Sequence, residues 1–166
     1  MEGYIEFLDK LFEKLNSLNV DVSGLKLDHI AYYASSKQDY DQLLPALSKL
    51  GSLEHEAIIS NRRIAVAKLF APISYNQYLI EAVELIEPRP AETHFSGWEH
   101  AEFVTDQSYQ SLLETYDQLP WETGSMDRAN FSHITALLGD NMKVIFHHQS
   151  ILESVRIDKA VSIPPR

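Results

Sequence analysis

Leu27-Asp28-His29-Ile30-Ala31-Tyr32-Tyr33-Ala34 is rich in β-branched and aromatic residues, a composition that predicts a strand. Ser35 or Ser36 is placed to cap a helix after it, and Tyr40, Leu43, Leu44 and Leu47 give that helix one apolar face up to Leu50. Pro45 lies inside this pattern, where a kink or an early break is expected, and Gly51 is expected to end it. Further on the order recurs. A strand over Trp98 to Val104 carries His100-Ala101-Glu102-Phe103-Val104, and a helix predicted over 107–118, with Asp106 as its cap, carries Tyr109-Gln110-Ser111-Leu112-Leu113. His29 and Tyr40 begin the matching pieces of the first half, at offsets of 71 and 69 residues. If the echo is a duplication, each half is a β-α-β-β-β module. The fold is then α+β, with two modules forming one cupped mixed β-sheet.

Outward from these pieces, Leu8, Leu11, Phe12, Leu15 and Leu18, together with Ile5, recur at helical spacing and predict an N-terminal helix over 2–19. Strands are expected over 53–59 and 64–70 around a turn at Asn61-Arg62-Arg63, and over 77–86 after a loop from Pro72 to Asn76. Residues 87–97 read as a linker and 119–130 as a loop. The strands over 131–138 and 142–148 flank Gly139-Asp140-Asn141, and Ser150 caps a last short helix before a tail ending in Pro164-Pro165. The expected organisation is one domain over 1–166: helix 2–19, first module 25–90, second module 96–150, and C-terminal helix and tail 151–166.

Composition narrows the function classes. The 166 residues include seven histidines and no cysteine, which excludes disulfides, thiolate zinc fingers, iron–sulfur clusters and a cysteine nucleophile. The net charge of −10 argues against a nucleic-acid footprint. It is spread over both halves, −4 in residues 1–90 and −6 in 91–166. No apolar run reaches the ~20 residues of a membrane span. Met1-Glu2-Gly3-Tyr4-Ile5-Glu6 lacks the basic start of a secretion signal, so a cytoplasmic protein is expected.

Imidazoles and carboxylates are the remaining metal donors. Strand alternation puts His29 on a face with Ala31 and Tyr33, His100 with Glu102 and Val104, Glu84 with Ala82 and Ile80, and His147 with Ile145. If the modules curl around a common cleft, His29, Glu84, His100 and His147 face inward as a three-histidine, one-carboxylate metal site. The alternative for each histidine is a hydrogen-bonded core or surface group. A carboxylate between Val83 and Leu85 needs a partner if buried, and Glu81 competes with Glu84 for that position. Glu102, on the face of His100, is the nearest catalytic base or outer-sphere group. His55, His94, His133 and His148 read as surface or packing residues. Arg62 and Arg63 are expected in a solvated turn, with binding of an anionic ligand as the alternative. Gly-rich phosphate loops, Gly-x-Ser-x-Gly elbows and His-Glu-x-x-His helices are all missing from the sequence.

Asp28-His29-Ile30, Val83-Glu84-Leu85, Gly97-Trp98-Glu99-His100, and Phe146-His147 followed by Ser150-Ile151 resemble the YecM-like proteins. That group belongs to the vicinal oxygen chelate superfamily, with glyoxalase I, the bleomycin-resistance proteins and extradiol dioxygenases. The resemblance runs from about residue 5 to residue 156, and Gly-Trp-Glu-His is its most specific piece. It implies paired β-α-β-β-β modules around a cupped cavity. It also implies a divalent metal (zinc, nickel, iron or manganese) on the first and last strands of each module, at His29, Glu84, His100 and His147. YecM-like proteins have no assigned activity, and the superfamily spans lyases, isomerases, dioxygenases, epimerases and metal-free binding proteins. Two functions are therefore expected. One is a metal-dependent lyase, isomerase or dioxygenase acting on a small oxygen-rich substrate. The other is a metal-free protein that binds a small ligand in the same cavity. The expected partner is a small molecule rather than nucleic acid or membrane, with the chain a monomer or homodimer.

Overall fold

The computed structural model describes residues 1–162; the tail with Pro164-Pro165 lies outside the described residues. The N-terminal amphipathic stretch forms helix α1, Tyr4–Ser17, which buries Phe7, Leu8, Leu11 and Leu15. Ile5, expected on the buried face, is exposed. The first module follows as β1 Lys26–Tyr33, α2 Lys37–Leu50, β2 Gly51–Ile59, β3 Arg62–Tyr75 and β4 Tyr78–Ile86. The second is β5 Gly97–Val104, α3 Tyr109–Thr115, β6 Trp121–Glu122, β7 His133–Gly139 and β8 Met142–His147, and α4, Ile151–Ser162, follows it. Among the described residues no helix is long and apolar enough to cross a membrane.

All eight strands form one mixed sheet in the order β2-β3-β4-β1-β5-β8-β7-β6. β1 lies parallel to β4 and β5 parallel to β8, so each module's first and last strands are neighbours. The modules meet where β1 and β5 pair antiparallel at the centre. Read from either edge, the order is the same once the modules are overlaid: the duplication suggested by the echo is present in the topology.

One sheet face carries the core. Leu27, Ile30, Val83, Leu85, Phe103, Ile134, Val144 and Phe146 pack there against α1, Tyr40 and Leu47 of α2, and Tyr109 and Leu112 of α3. Each fully buried Leu or Phe in this layer contributes roughly 1.5–3 kcal/mol. The opposite face carries the charged and polar groups, together with a small apolar cluster of Ala31, Tyr33, Ile64 and Ile86 and with Val66 and Ile145. It is this face that holds the candidate site.

Several local expectations are corrected. Ser36 caps α2, accepting the Asp39 N–H at 3.1 Å, and α2 continues through Pro45 to Leu50. The β2–β3 turn is Ser60-Asn61, both with positive φ (50° and 65°), so Arg62 and Arg63 lie on β3 and not in the turn. β3 also runs past Pro72 to Tyr75; a register shift between Lys68 and Ile73 accommodates the missing proline N–H. α3 is shorter than 107–118 and is capped by Ser108, not Asp106. The expected loop 119–130 includes the two-residue edge strand β6, too short to show alternation.

Candidate metal centre

On a regular strand, neighbouring side chains point to opposite faces. Two bulges break that rule at the centre of the sheet. Along β1, Leu27 pairs with Phe103 and His29 with Glu102, which leaves Asp28 without a partner on β5. Along β5, Ala31 pairs with His100 and Tyr32 with Trp98, which leaves Glu99 without a partner on β1. The extra residue lets an acid turn toward the histidine that follows it. Asp28 Oδ2 lies 3.1 Å from His29 Nδ1, and Glu99 Oε2 lies 2.8 Å from His100 Nδ1. Leu27 and Ile30, and likewise Trp98 and Ala101, keep their places on the core side.

A third histidine is fixed in the same way. His147, at the end of β8, hydrogen-bonds through Nδ1 to the backbone carbonyl of Gln149. Carboxylates and carbonyls only accept, so all three Nδ1 atoms carry a proton, and each Nε2 is bare once its ring is neutral. Those three Nε2 atoms are buried and have no hydrogen-bond partner among the described residues. They converge on Glu102: its carboxylate oxygens lie 3.4 Å from His29 Nε2, 3.2 Å from His100 Nε2 and 3.7 Å from His147 Nε2, without hydrogen-bond geometry. Glu84 Oε2 lies 3.6 Å from His100 Nε2. Ligand atoms of His29, Glu84, His100 and Glu102 all fall within 4.8 Å of one another, and Asp28, His29 and His147 form a second, overlapping set.

The electrostatics follow from crowding charges in a dry pocket. Burial pulls the His29 pKa down, but Glu102 and Asp28 outweigh it and lift it to about 10. Burial opposes protonation of His100 as well, and Glu102, Glu84 and Glu99 carry its pKa well above the usual value. Burial raises Glu102, and the surrounding histidines more than reverse this, leaving it well below the carboxylate range. Glu99 is likewise raised by burial but brought down to about 2 by His100 and by Lys143, whose Nζ is 2.9 Å away. His147 is lowered, first by burial and then against the pull of Glu102.

The four residues selected by alternation are thus on one sheet face, with His147 joined to the others through Glu102 and His29. Glu81, the competitor of Glu84, instead pairs with Lys26 at 2.8 Å. His148 is exposed and stacks on Tyr109, and His94 stacks on Tyr33. Sequence reasoning gave no role to Asp28, Glu99 or the Gln149 carbonyl. A signal for the first two exists: each half has an acid immediately before its histidine. Beside the cluster opens a cavity of about 670 Å³, walled by both modules and by Ile151, Val155 and Asp158 of α4.

Two β-α-β-β-β modules joined through antiparallel first strands agree with the fold that the resemblance to vicinal oxygen chelate proteins implies. Residues 1–134 match the YecM protein family, and the chain belongs to that family. An uncharacterized protein of Haemophilus influenzae is 28% identical over 98 residues, 59% of this chain and 51% of the relative. The chain therefore spans about half the length of the curated relative it matches. Among solved structures, a structural-genomics protein designated EC4020 superposes with a TM-score of 0.76 at 22% identity, over 92% of this chain and 87% of its own. A variant of Streptomyces coelicolor methylmalonyl-CoA epimerase, in complex with 2-nitronate-propionyl-CoA, gives 0.50 at 12% identity over 75% and 98%. A Bacillus subtilis structure named as a candidate dioxygenase gives 0.50 at 10% over 76% and 41%. At these identities the structural likenesses establish the fold.

Proposed function

We propose that the protein holds a divalent metal ion on His29, Glu84, His100 and His147 and acts as a metal-dependent lyase, isomerase or dioxygenase on a small oxygen-rich molecule. One observation carries this reading: three buried Nε2 atoms, each on a ring whose Nδ1 has its own acceptor, lie within 3.7 Å of the Glu102 carboxylate, with Glu84 3.6 Å from the His100 Nε2. Buried polar atoms without partners are rare, and a cation satisfies all three. The set is nitrogen and oxygen only, which suits zinc, nickel, iron or manganese. A cation held there supplies Lewis acidity to two neighbouring ligand oxygens. Glu102, within 3.7 Å of all three Nε2 atoms and lining the cavity, is placed to take a proton from the bound molecule and hold it at a carboxylate oxygen.

Metal analysis of tag-free protein, with His100→Ala beside it, tests the site. About one equivalent in the wild type and strong loss in the variant is expected. Less than about a tenth of an equivalent, unchanged after exposure to zinc, nickel, iron or manganese, overturns the assignment. A second reading has its own support: Glu102 lies close enough to the histidines for imidazolium protons to balance its charge. In that case the cavity binds a small ligand without metal, and the same variants alter stability while metal content stays at zero.

A further inference from the structure

Among the described residues, four cationic side chains line the cavity: Arg62, Arg89, Arg128 and Lys143. Lys143 is matched by Glu99 at 2.9 Å and Arg89 by Glu92 at 2.9 Å, while Arg128 is exposed. Arg62 differs. It is half-buried and makes no ion pair among the described residues, although the Glu92 carboxylate is near enough to feel its charge, and its Nε is shielded from solvent with no hydrogen-bond partner. One terminal nitrogen donates to the Tyr33 hydroxyl, and the guanidinium carbon stands 5.1 Å from the centre of the Tyr33 ring. Tyr33 is buried, and with its oxygen accepting from Arg62 its own O–H finds no acceptor among the described residues. Both unused groups are donors, and one belongs to a fixed positive charge. The complement of unsatisfied donors beside a cation is an oxyanion.

We infer that Arg62 and Tyr33 form an oxyanion subsite that takes a carboxylate or phosphate group of the cavity's ligand. Position along the sheet sets the ligand's size. Ala31 pairs with Glu84 on one side and with His100 on the other, and Tyr33 follows two residues later on the same face. Two strand residues span roughly 7 Å. A molecule with its anionic end on Arg62 and its oxygens at the histidine–glutamate cluster is therefore compact, on the scale of a short dicarboxylate or a phosphorylated two-carbon acid. That second contact rests on the proposed metal function; the anion subsite itself does not.

Calorimetric titration with succinate and with 2-phosphoglycolate, on zinc-loaded and on metal-free protein, tests the inference. The wild type is expected to bind at least one probe, and the preferred probe tells a carboxylate from a phosphate. Arg62→Gln should weaken that binding at least tenfold and Tyr33→Phe about threefold to tenfold, with zinc stoichiometry unchanged in both. Tyr33→Phe removes one oxygen and carries the test if Arg62→Gln does not fold. Failure of both probes to bind the wild type, or equal affinity in the variants, overturns the subsite. Arg62-dependent anion binding in a protein that takes up no zinc upholds the subsite and removes the metal function. Zinc uptake with anion affinity indifferent to Arg62 does the reverse.

Discussion

Asp28 and His29 are neighbours on one strand, yet Asp28 Oδ2 reaches His29 Nδ1 at 3.1 Å. Only the bulge at Asp28 permits this, and β5 repeats the device with Glu99 and His100. The pairing fixes the tautomer, raises the basicity of each Nε2 and aims it at the cavity. Asp28 Oδ2 also accepts the Ile151 N–H at 2.8 Å, so the start of α4 is tied to the same carboxylate.

Replacing these acids by amides should therefore weaken metal binding without touching a ligand. Asp28→Asn and Glu99→Gln keep the size and an acceptor oxygen but remove the charge. Zinc affinity should fall about 10- to 100-fold in each, the range for outer partners of metal-bound histidines. Competition against a chromophoric chelator measures it. Wild-type affinity in both variants would remove the orienting role.

Metal uptake should also depend steeply on pH. In the metal-free protein His29 holds its proton up to about pH 10 and His100 well above its usual value. A cation must displace those protons, so affinity rises with pH across the neutral range and binding acidifies the solution. Roughly one to two protons should be released per zinc at pH 7. A titration in weak buffer followed by a pH electrode reads the number directly, and release of none contradicts the assignment of His29 and His100.

Metal-free stability should pass through a maximum. Glu99 is held at about 2 in the folded chain against an ordinary 4.5, so its contribution is present above pH 4.5 and disappears as pH falls toward 2. His29 is raised from 6.5 to about 10, so its contribution is complete below pH 6.5 and is lost as pH climbs through 10. His147, lowered from 6.5, partly offsets this on the acid side. Thermal melts of chelator-treated, dialysed protein should give a higher midpoint near pH 6 than at pH 3 or pH 9.5.

The fold was legible because its signals are periodic. The strand around His29, the helix around Leu43 and Leu44, and their echo around His100 and Leu112 are patterns that survive in a linear string. Alternation also put His29, Glu84, His100 and His147 on a common face. The partners of those residues were illegible for the same reason. Alternation sends Asp28 and Glu99 away from the histidines they serve, and a bulge leaves no mark in the pattern of residue types. In the sequence, anion binding by Arg62 stands only as the alternative to a solvated turn, because a hairpin tip at Asn61-Arg62-Arg63 instead of Ser60-Asn61 sends its side chain to solvent rather than into the cavity.

Gly51 shows how a residue can be required for a reason other than the expected one. It follows Leu50 of α2 directly and begins β2, so helix passes to strand with no loop between. Its φ is −161°, extended backbone open to any residue, and not the left-handed turn of a glycine that ends a helix. The constraint is contact across the sheet. Gly51 pairs with Leu69, and a Cβ here would sit 2.3 Å from the Lys68 carbonyl oxygen and 2.7 Å from its carbon. Both atoms are backbone, so the strands must part. Gly51→Ala should destabilise by about 1–3 kcal/mol, as overpacking does. For a chain of this size that lowers the melting midpoint by roughly 2–4 °C per kcal/mol. Gly124→Ala is the control, because nothing lies within 4 Å of its added methyl. Differential scanning calorimetry should show a drop for Gly51→Ala alone. Zinc stoichiometry should stay unchanged, because Gly51 pairs with the outer strand β3 and the proposed ligands stand on β1, β4, β5 and β8. Equal midpoints for the two variants would mean that the β2–β3 contact yields without cost.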